Sequence, residues 1–183
     1  MTQTSFYSEA ELLALGFKSL GRHVKISRYA RFYGAEMMDI GDYSRIDDFC
    51  ILSGKIKLGA YVHVSAYVAL YGNLGIEFED HTGISARSTV YSAMDDFSGD
   101  YMIGPLCPVE TTNVQGGKVL VKRYAQIGAH CLVFPNLTIG EGAAVGSCSM
   151  VKNSLKDWKI YWGIPAKVRK DRGKGMLTRS INL

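Results

Sequence analysis

The side chains of this sequence that are best suited to move a proton are its four histidines and two adjacent aspartates, Asp95 and Asp96. The histidines are His23, His63, His81 and His130. A neutral imidazole accepts a proton near physiological pH, and a carboxylate can do so where burial raises its pKa. Which of these groups could act as a general base depends on the elements that position them.

Those elements follow a repeat of six residues. The ladder of aliphatic and aromatic residues that marks the repeat comprises Ile26, Phe32, Ile40, Ile46, Leu52, Leu58, Val64, Leu70, Phe78, Ile84, Val90, Val121, Ile127, Val133, Ile139, Val145 and Val151. Uncharged residues follow four positions later, at Ala30, Ser44, Cys50, Ile56, Val62, Val68, Leu74, Thr82, Ser88, Ala125, Cys131, Leu137, Ala143 and Ser149. A helix repeats near 3.6 residues and a half-buried strand every two, so this period indicates short strands separated by regular corners.

Three such units predict one triangular turn of a prism, and successive turns stack by parallel strand pairing. Both repeated positions point inward, and the glycine that often follows a ladder residue is expected to supply the backbone angles of the corner. The repeat is interrupted twice, by YGNLG at residues 71–75, which predicts a small bulge, and by residues 93–118, which predict a loop. A loop of this length without secondary structure is usually functional or disordered.

A length of 183 residues favours a single domain. Ser8, followed by Glu11 three residues later, has the spacing of a capping box and predicts a helix over residues 8–15. The predicted parts are an N-terminal helix and cap at 1–23, the β-helix at 24–155, and a C-terminal cap with a basic tail at 156–183.

Composition narrows the classes of protein further. The chain is 47% hydrophobic and 21% charged, as in soluble globular proteins. It contains no membrane-spanning apolar run and no signal-peptide pattern, so we expect a cytoplasmic protein without membrane insertion. The four cysteines lack CxxC spacing, which favours reduced thiols over a metal site. Much of the net charge of +4 is carried by the C-terminal segment. This segment lacks interleaved aromatic residues, so nucleic acid is not an expected partner.

The ladder, combined with the GIPAK sequence at 163–167, resembles the hexapeptide-repeat acyltransferases, whose fold is a left-handed parallel β-helix. SRIDDFCILSG, YVHVSAYVALYG and ISARSTVYSAMDDFSG make the chain similar to bacterial acetyltransferases acting on the amino group of dTDP-4-amino-4,6-dideoxyglucose. The resemblance implies acetyl-CoA as co-substrate, no metal, a homotrimer with sites between prisms, and a role in surface polysaccharide (O-antigen) biosynthesis. O-acetylation of galactoside, maltose or other saccharide hydroxyls is the alternative activity, and a non-catalytic β-helix assembly subunit is the alternative from another class.

The register of the repeat favours His63 as the base. His63 falls between two inward positions, so it projects from a flat outer face where a neighbouring prism would pack. His23 precedes the ladder, whereas His81 and His130 fall at corners. His63 is therefore the predicted general base.

The loop offers a second set of candidates. The related galactoside acetyltransferases carry their catalytic histidine in this loop, but here the loop contains none. Asp95 and Asp96 could instead orient His63, bind the acceptor amine, or act as the base if burial raised the pKa. Hydrogen bonds to the acceptor are also predicted from Asn73, Tyr91 and Ser92.

The resemblance places CoA along the C-terminal coils, in a groove between two subunits. Motif matching assigns five residues to CoA: Ala129 of IGAH, Ser147 and Lys152 of VGSCSMVK, and Lys167 and Lys170 of PAKVRK. Lysine suits the phosphates because it brings a point charge on a flexible stem. Trp162 stands where the related proteins have a small residue; it would stack on the adenine or, as we favour, pack against the end of the prism.

Overall fold

The computed structural model describes residues 5–179, and residues 1–4 and 180–183 of the two predicted end segments lie outside them. Helix α1 spans Glu9–Ala14, and 3₁₀ helices span Ala35–Met37, Val109–Thr111 and Gly175–Thr178. The strands are β1 (Ser19–Leu20), β2 (Lys25–Ile26), β3 (Arg31–Tyr33), β4 (Met38–Ile40), β5 (Arg45–Ile46), β6 (Ile51–Leu58), β7 (His63–Val64), β8 (Ala69–Phe78), β9 (Gly83–Ile84), β10 (Thr89–Tyr91), β11 (Ala93–Met94), β12 (Gln115–Gly116), β13 (Val119–Val121), β14 (Gln126–Ile127), β15 (Leu132–Val133), β16 (Leu137–Ile139), β17 (Ala144–Val145), β18 (Met150–Val151), β19 (Lys159–Trp162) and β20 (Lys167–Asp171). Within residues 5–179, no helix has both the length and the apolar character needed to cross a membrane.

These strands form the three faces of a prism, and each coil of the chain crosses the faces in turn. The first face stacks β2, β5, β7, β9, β14, β17 and β19 in parallel, with β20 antiparallel at its end. The second stacks β3, the first halves of β6 and β8, then β10, β15 and β18. The third stacks β1, β4, the second halves of β6 and β8, then β13 and β16. The predicted parallel β-helix is confirmed.

The ladder residues fill the interior of the prism. All of them except Phe32 are at most 4% exposed, and Phe32 packs its ring edge-on against Phe17 with centroids 5.0 Å apart. Burying one aliphatic side chain of this size contributes roughly 1.5–3 kcal/mol. The six-residue repeat is therefore the spacing of the core.

The bulge displaces one residue from the position predicted for it. Leu74 is 46% exposed, whereas Ile76 is 1% exposed and occupies the second inward position. The register between β6 and β8 shifts after the Gly54–Gly72 pair and resumes at Ile56–Ile76. The inward prediction for Leu74 is wrong because the extra residues carry it around the outside of the corner.

The glycines after the ladder residues serve close packing between coils. Gly41 has no positive φ, and a Cβ there would overlap the backbone of Gly59 in the next coil. The left-handed backbone angle instead falls two residues later, on Tyr43 with φ 58°. The role predicted for these glycines, to supply unusual backbone angles, is therefore wrong at this corner.

Aromatic rings stack along the corner between the third and first faces. Tyr43, Tyr61 and His81 all have φ 58°, and their successive ring centroids lie 4.9 and 4.8 Å apart. This aromatic column begins at His23 and continues through Tyr124 to Trp158. A left-handed conformation costs a non-glycine residue about 1–2 kcal/mol, and each stacked pair contributes about 0.5–1.5 kcal/mol. Stacking offsets the backbone cost.

Helix α1 lies at the N-terminal end of the prism and is attached to it by hydrogen bonds to the Glu11 side chain. The Glu11 carboxylate accepts the Ser8 N–H at 2.8 Å and an Arg28 guanidinium N–H at 2.7 Å. Hydrogen bonds from Arg28 and Ser8 lower the pKa of Glu11 to about 2. Leu12, the next residue of the helix, is buried against the core. The predicted helix is confirmed, and Arg28 joins it to the first coil.

At the other end, the C-terminal segment extends the first face by the antiparallel pair β19 and β20. After this pair, Arg172 donates hydrogen bonds to the backbone carbonyls of Tyr124 and Gly142, each at 3.0 Å. Burial lowers the pKa of Arg172. These bonds attach the segment after β20 to the C-terminal end of the aromatic column.

Glu11→Gln should destabilise the protein in a manner that depends on pH. Because the folded pKa of Glu11 is depressed to about 2, the carboxylate stabilises the fold above its unfolded pKa of about 4.3, and this stabilisation is lost as pH falls towards 2. Urea unfolding should show a gap between wild type and variant at pH 6 that narrows below about pH 4. Glu9→Gln is the control, since Glu9 forms no ion pair within residues 5–179. A gap that is constant with pH would contradict the prediction.

Tyr61→Gly should be more stable than Tyr61→Ala, the reverse of the usual order. Both variants lose the stacking with Tyr43 and His81, but only glycine removes the cost of φ 58°. We expect a difference of about 1 kcal/mol in the free energy of unfolding, measured by chemical denaturation. Equal or greater stability of Tyr61→Ala would show that the left-handed backbone carries no such cost.

Candidate active site

The bulge and the loop leave the prism on adjacent coils, at the corner between the second and third faces, and border an open cavity. The cavity has a volume of about 450 Å³ and is lined by Tyr71, Asn73, Tyr91, Ala93, Met94, Asp95, Phe97 and Val114. Three residues predicted to contact the acceptor, namely Asn73, Tyr91 and Asp95, therefore lie together. The cavity is built from both interruptions of the repeat.

One wall of the cavity is aromatic. Tyr71 and Tyr91 lie opposite each other in β8 and β10, and their rings stack with centroids 5.1 Å apart and planes 15° apart. Phe97 from the loop adds a third ring and is 71% exposed. Such a wall offers a flat apolar surface to a ring-shaped ligand.

Asp95 supplies a carboxylate at this wall. Within residues 5–179, no hydrogen bond or ion pair engages its side chain. A carboxylate that is free of protein partners and borders an aromatic wall can bind a cationic group carried on a ring. The placement fits the predicted contact between Asp95 and an acceptor amine.

Asp96 points into the loop itself. Its carboxylate accepts hydrogen bonds from the Ser98 N–H at 2.8 Å, the Asn113 side-chain amide at 2.7 Å and the Gln115 side-chain amide at 3.0 Å. Hydrogen bonds from Ser98 and then Asn113 lower the pKa of Asp96. The condition attached to Asp96 as a base, a raised pKa, is therefore not met, and the residue holds the two arms of the loop together.

Ser92 is fully buried. Its hydroxyl donates to the Tyr71 carbonyl at 3.0 Å and accepts the Leu74 N–H at 2.9 Å. This placement does not fit the predicted direct hydrogen bond to the acceptor, because the side chain is fully buried and its only hydroxyl proton is donated to the Tyr71 carbonyl. Ser92 instead holds the backbone of the bulge, residues 71–75, behind the cavity wall.

His63 lies on the outer side of the first face, as its register predicts, and its side chain is 51% exposed. Its Nε2 is 2.8 Å from Oδ2 of Asp47, whose other oxygen accepts the Arg45 Nε–H at 2.6 Å. Burial raises the pKa of Asp47, but hydrogen bonds from His63 and Arg45 outweigh it, so the pKa is lowered overall. An ionised Asp47 accepts a hydrogen bond from Nε2–H of His63, and this tautomer leaves Nδ1 without a proton.

Asp47, instead of Asp95 or Asp96, orients the imidazole. The sequence contained the signal for it, since Ile46 and Val64 are ladder residues one coil apart. Arg45 pairs with His63 in this register, and Asp47 follows on the same face. Applying the coil length to outward residues as well as inward ones would have brought Asp47 next to His63.

The residues assigned to CoA lie along the C-terminal coils, as expected from their motifs. Ala129 and Ser147 lie one coil apart at the corner between the first and second faces, and the Ala129 N–H donates to Ser147 Oγ at 3.2 Å. The Lys152 ammonium lies 5.6 Å from the centre of the Phe134 ring. Lys167 and Lys170 are exposed on β20. This arrangement places three exposed lysines near the last coil, which suits a polyphosphate.

Trp162 is 43% exposed and lies on the first face, its Cβ close to Gly146. The Arg169 guanidinium lies 5.3 Å from the centre of its ring. The ring is therefore not buried against the end of the prism, which argues against the interpretation that we favoured. Among residues 5–179, no three His, Cys, Asp or Glu side chains converge to hold a metal ion.

Known proteins match this chain along nearly its whole length. The dTDP-4-amino-4,6-dideoxy-D-glucose acyltransferase of Escherichia coli is 38% identical over 176 residues, covering 94% of this chain and 92% of the relative. The chain belongs to this acyltransferase family. No protein-family model matches it.

The fold of the family is known from crystal structures. AntD, an N-acyltransferase from Bacillus cereus in complex with dTDP and 3-hydroxybutyryl-CoA, is 50% identical to this acyltransferase, with a TM-score of 0.94 and coverage of 97% of this chain and 95% of AntD. A variant of AntD in complex with dTDP-4-amino-4,6-dideoxyglucose and coenzyme A is 49% identical, with the same TM-score and coverage. The match confirms the left-handed β-helix acyltransferase fold.

Asp96→Ala should loosen the loop, whereas Asp95→Ala should not. Asp96 accepts three hydrogen bonds that join residues 96–98 to residues 113–115, and Asp95 accepts none from the described residues. We expect limited proteolysis to cleave the loop of Asp96→Ala about 100-fold faster than that of wild type, since the three lost bonds contribute about 1 kcal/mol each to keeping the loop closed. Asp95→Ala is the adjacent control. Equal cleavage of the two variants would rule out the organising role of Asp96.

Proposed function

We propose that this acyltransferase transfers the acetyl group of acetyl-CoA to the amino group of dTDP-4-amino-4,6-dideoxyglucose or a closely similar nucleotide-linked amino sugar. The observation that carries the proposal is the cavity in which the free Asp95 carboxylate borders the stacked Tyr71 and Tyr91 rings. The complexes of AntD with dTDP, the amino sugar and CoA support it, because that enzyme is about half identical to this chain.

The cavity suits an amino sugar because its polar groups are few and distinct. An amino sugar carries an ammonium near neutral pH, and Asp95 offers a carboxylate that needs a cationic partner. The Asn73 amide, on the opposite side of the corner, can serve sugar hydroxyls or phosphate oxygens. The aromatic wall provides area for the sugar ring or the nucleobase.

The transfer needs a base, because an ammonium has no lone pair. A base removes one proton from the ammonium, and the amine nitrogen then forms a bond to the thioester carbonyl carbon. The carbon–sulfur bond breaks, and a second proton lost from the nitrogen goes to the departing sulfur, which leaves as CoA thiol. In our proposal His63 Nδ1 takes the proton and Asp47 stabilises the imidazolium. Asp95 holds the amine in place and is the alternative proton acceptor.

Two copies of the chain are required to complete this site. His63 lies on the first face, whereas the cavity lies at the corner between the other two faces, and His63 does not line it. The loop also exposes large apolar side chains, with Leu106 98% and Val109 84% exposed. We therefore propose a homotrimer in which the loop of one prism packs on the first face of its neighbour, working in the cytoplasm in O-antigen or other surface polysaccharide biosynthesis.

CoA would lie along the C-terminal coils of the first face, with Lys152, Lys167 and Lys170 near its phosphates and Ala129 and Ser147 beside its arm. Trp162 and Arg169 form an exposed stacked pair at the same end. An exposed indole is available to stack on the adenine. CoA supplies the activated acyl group, and the protein supplies position, charge and the proton acceptor.

His63→Ala should lower kcat for acetylation of dTDP-4-amino-4,6-dideoxyglucose by about 10²- to 10⁴-fold, as expected for loss of a general base. Asp95→Asn should instead raise KM for the amino sugar by about 10- to 100-fold, because a charge-assisted hydrogen bond is lost. Product would be measured by mass spectrometry, with His23→Ala as a control for an exposed histidine outside the site.

The acceptor panel should also contain a galactoside and maltose. Acetylation of these hydroxyl sugars alone would replace the proposed function by O-acetylation. Binding of neither acetyl-CoA nor any acceptor would favour a non-catalytic assembly subunit. Full activity of His63→Ala together with loss of activity in Asp95→Asn would move the role of base to Asp95.

A further inference from the structure

The bulge and the loop meet at one buried residue. Ser92 is 0% exposed and follows β10, where the chain leaves the second face. Its backbone N–H and its hydroxyl both donate to the Tyr71 carbonyl oxygen, each at 3.0 Å, and its hydroxyl oxygen accepts the Leu74 N–H at 2.9 Å. Three hydrogen bonds therefore run from Ser92 to the bulge, residues 71–75.

The returning end of the loop closes on the same residue. The Ser92 carbonyl oxygen accepts the Gly117 N–H at 2.9 Å, and β11 pairs antiparallel with β12 directly beyond it. A Cβ on Gly116 would overlap the Ser92 carbonyl oxygen, so the loop backbone passes directly against this residue. Ser92 is thus bonded to both interruptions of the repeat.

The strand ladder cannot replace the bonds of Ser92. Parallel pairing between β6 and β8 stops at Gly72 and resumes at Ile76, so the ladder skips Leu74. The Leu74 N–H, which lies beneath the cavity wall, bonds to the Ser92 hydroxyl instead. Without that hydroxyl the N–H would have to turn towards solvent, and the backbone that carries Asn73 would turn with it.

We propose that Ser92 is a positioning residue that makes the bulge and the loop one acceptor-binding unit. Through Tyr71 and Leu74 it sets the aromatic wall and Asn73. Through Gly117 it anchors the returning arm of the loop, whose strand β12 pairs with β11, directly before Asp95. The inference rests on the proposed function, since the ligand of this unit is taken to be the nucleotide-linked amino sugar. Small displacements of positioning groups lower binding and rate without removing any contact to the ligand.

A second buried serine provides a matched control. Ser44 is also 0% exposed, its hydroxyl donates to the Gly59 carbonyl at 2.8 Å, and it accepts the Val62 N–H at 3.2 Å. It therefore has the same burial and the same bonding pattern as Ser92, but it lies at the corner between the third and first faces. Replacing either hydroxyl should lower stability to a similar degree.

The experiment compares Ser92→Ala with Ser44→Ala in the full-length protein. Calorimetry would measure the Kd of dTDP-4-amino-4,6-dideoxyglucose and of CoA, and hydrogen exchange would follow the amides of residues 71–75 and 93–117. We expect Ser92→Ala to raise the Kd of the nucleotide sugar about tenfold, to leave the Kd of CoA unchanged, and to speed exchange in both segments. Ser44→Ala should do none of these.

Gly116→Ala tests the same junction from the loop side and should give the same pattern, which keeps the proposal testable if Ser92→Ala does not fold. Normal binding of the nucleotide sugar by wild type, with equal affinity in the Ser92 and Ser44 variants, would overturn the role of Ser92 alone. Faster exchange in only one of the two segments would overturn the claim that they form one unit. Failure of wild type to bind the nucleotide sugar would overturn the proposed function, and the positioning role with it.

Discussion

Each coil of this protein has to return its ladder residues to the same place above the previous coil. The aliphatic side chains stack inside the prism, and parallel hydrogen bonds fix the register outside it, so neither can shift without the other. Extra residues can therefore leave the repeat only at a corner. The interior sets where insertions are tolerated, and the insertions in turn set where a cavity can form.

Within residues 5–179 the structure adds a third departure to the two interruptions seen in the sequence, and all three lie at the corner between the second and third faces. They are the 3₁₀ helix Ala35–Met37 between β3 and β4, the bulge within β8, and the loop after β10. The next corner, between the third and first faces, is occupied by the aromatic column, whose rings contact those of the preceding and following coils. An insertion there would break the stacking as well as the register. The cavity therefore lies at one corner of the prism, and His63 lies away from it on the outer side of the first face.

The sequence was sufficient to predict the ladder, the short helix and both interruptions, because each depends on the spacing of apolar residues or on a local capping pair. It was not sufficient for Leu74, since the length of a bulge does not reveal which of its residues returns to the core. The outward partners were also hidden: Asp47 reaches His63 from the previous coil, and Ser92 reaches Leu74 in the same way. Side chains that act between coils become visible only after the register of the coils is known.

The aromatic column ends at Trp158, and Trp162 lies four residues further on, so both tryptophans of the chain belong to its last coil. A solenoid has contacts mainly between neighbouring coils, and its two ends can melt separately. Fluorescence excited selectively at tryptophan therefore reports on the C-terminal end of the prism, whereas circular dichroism averages over all coils. A mismatch between the two signals during unfolding would record where the indoles lie along the axis, and it would need no intermediate of unusual structure to explain it.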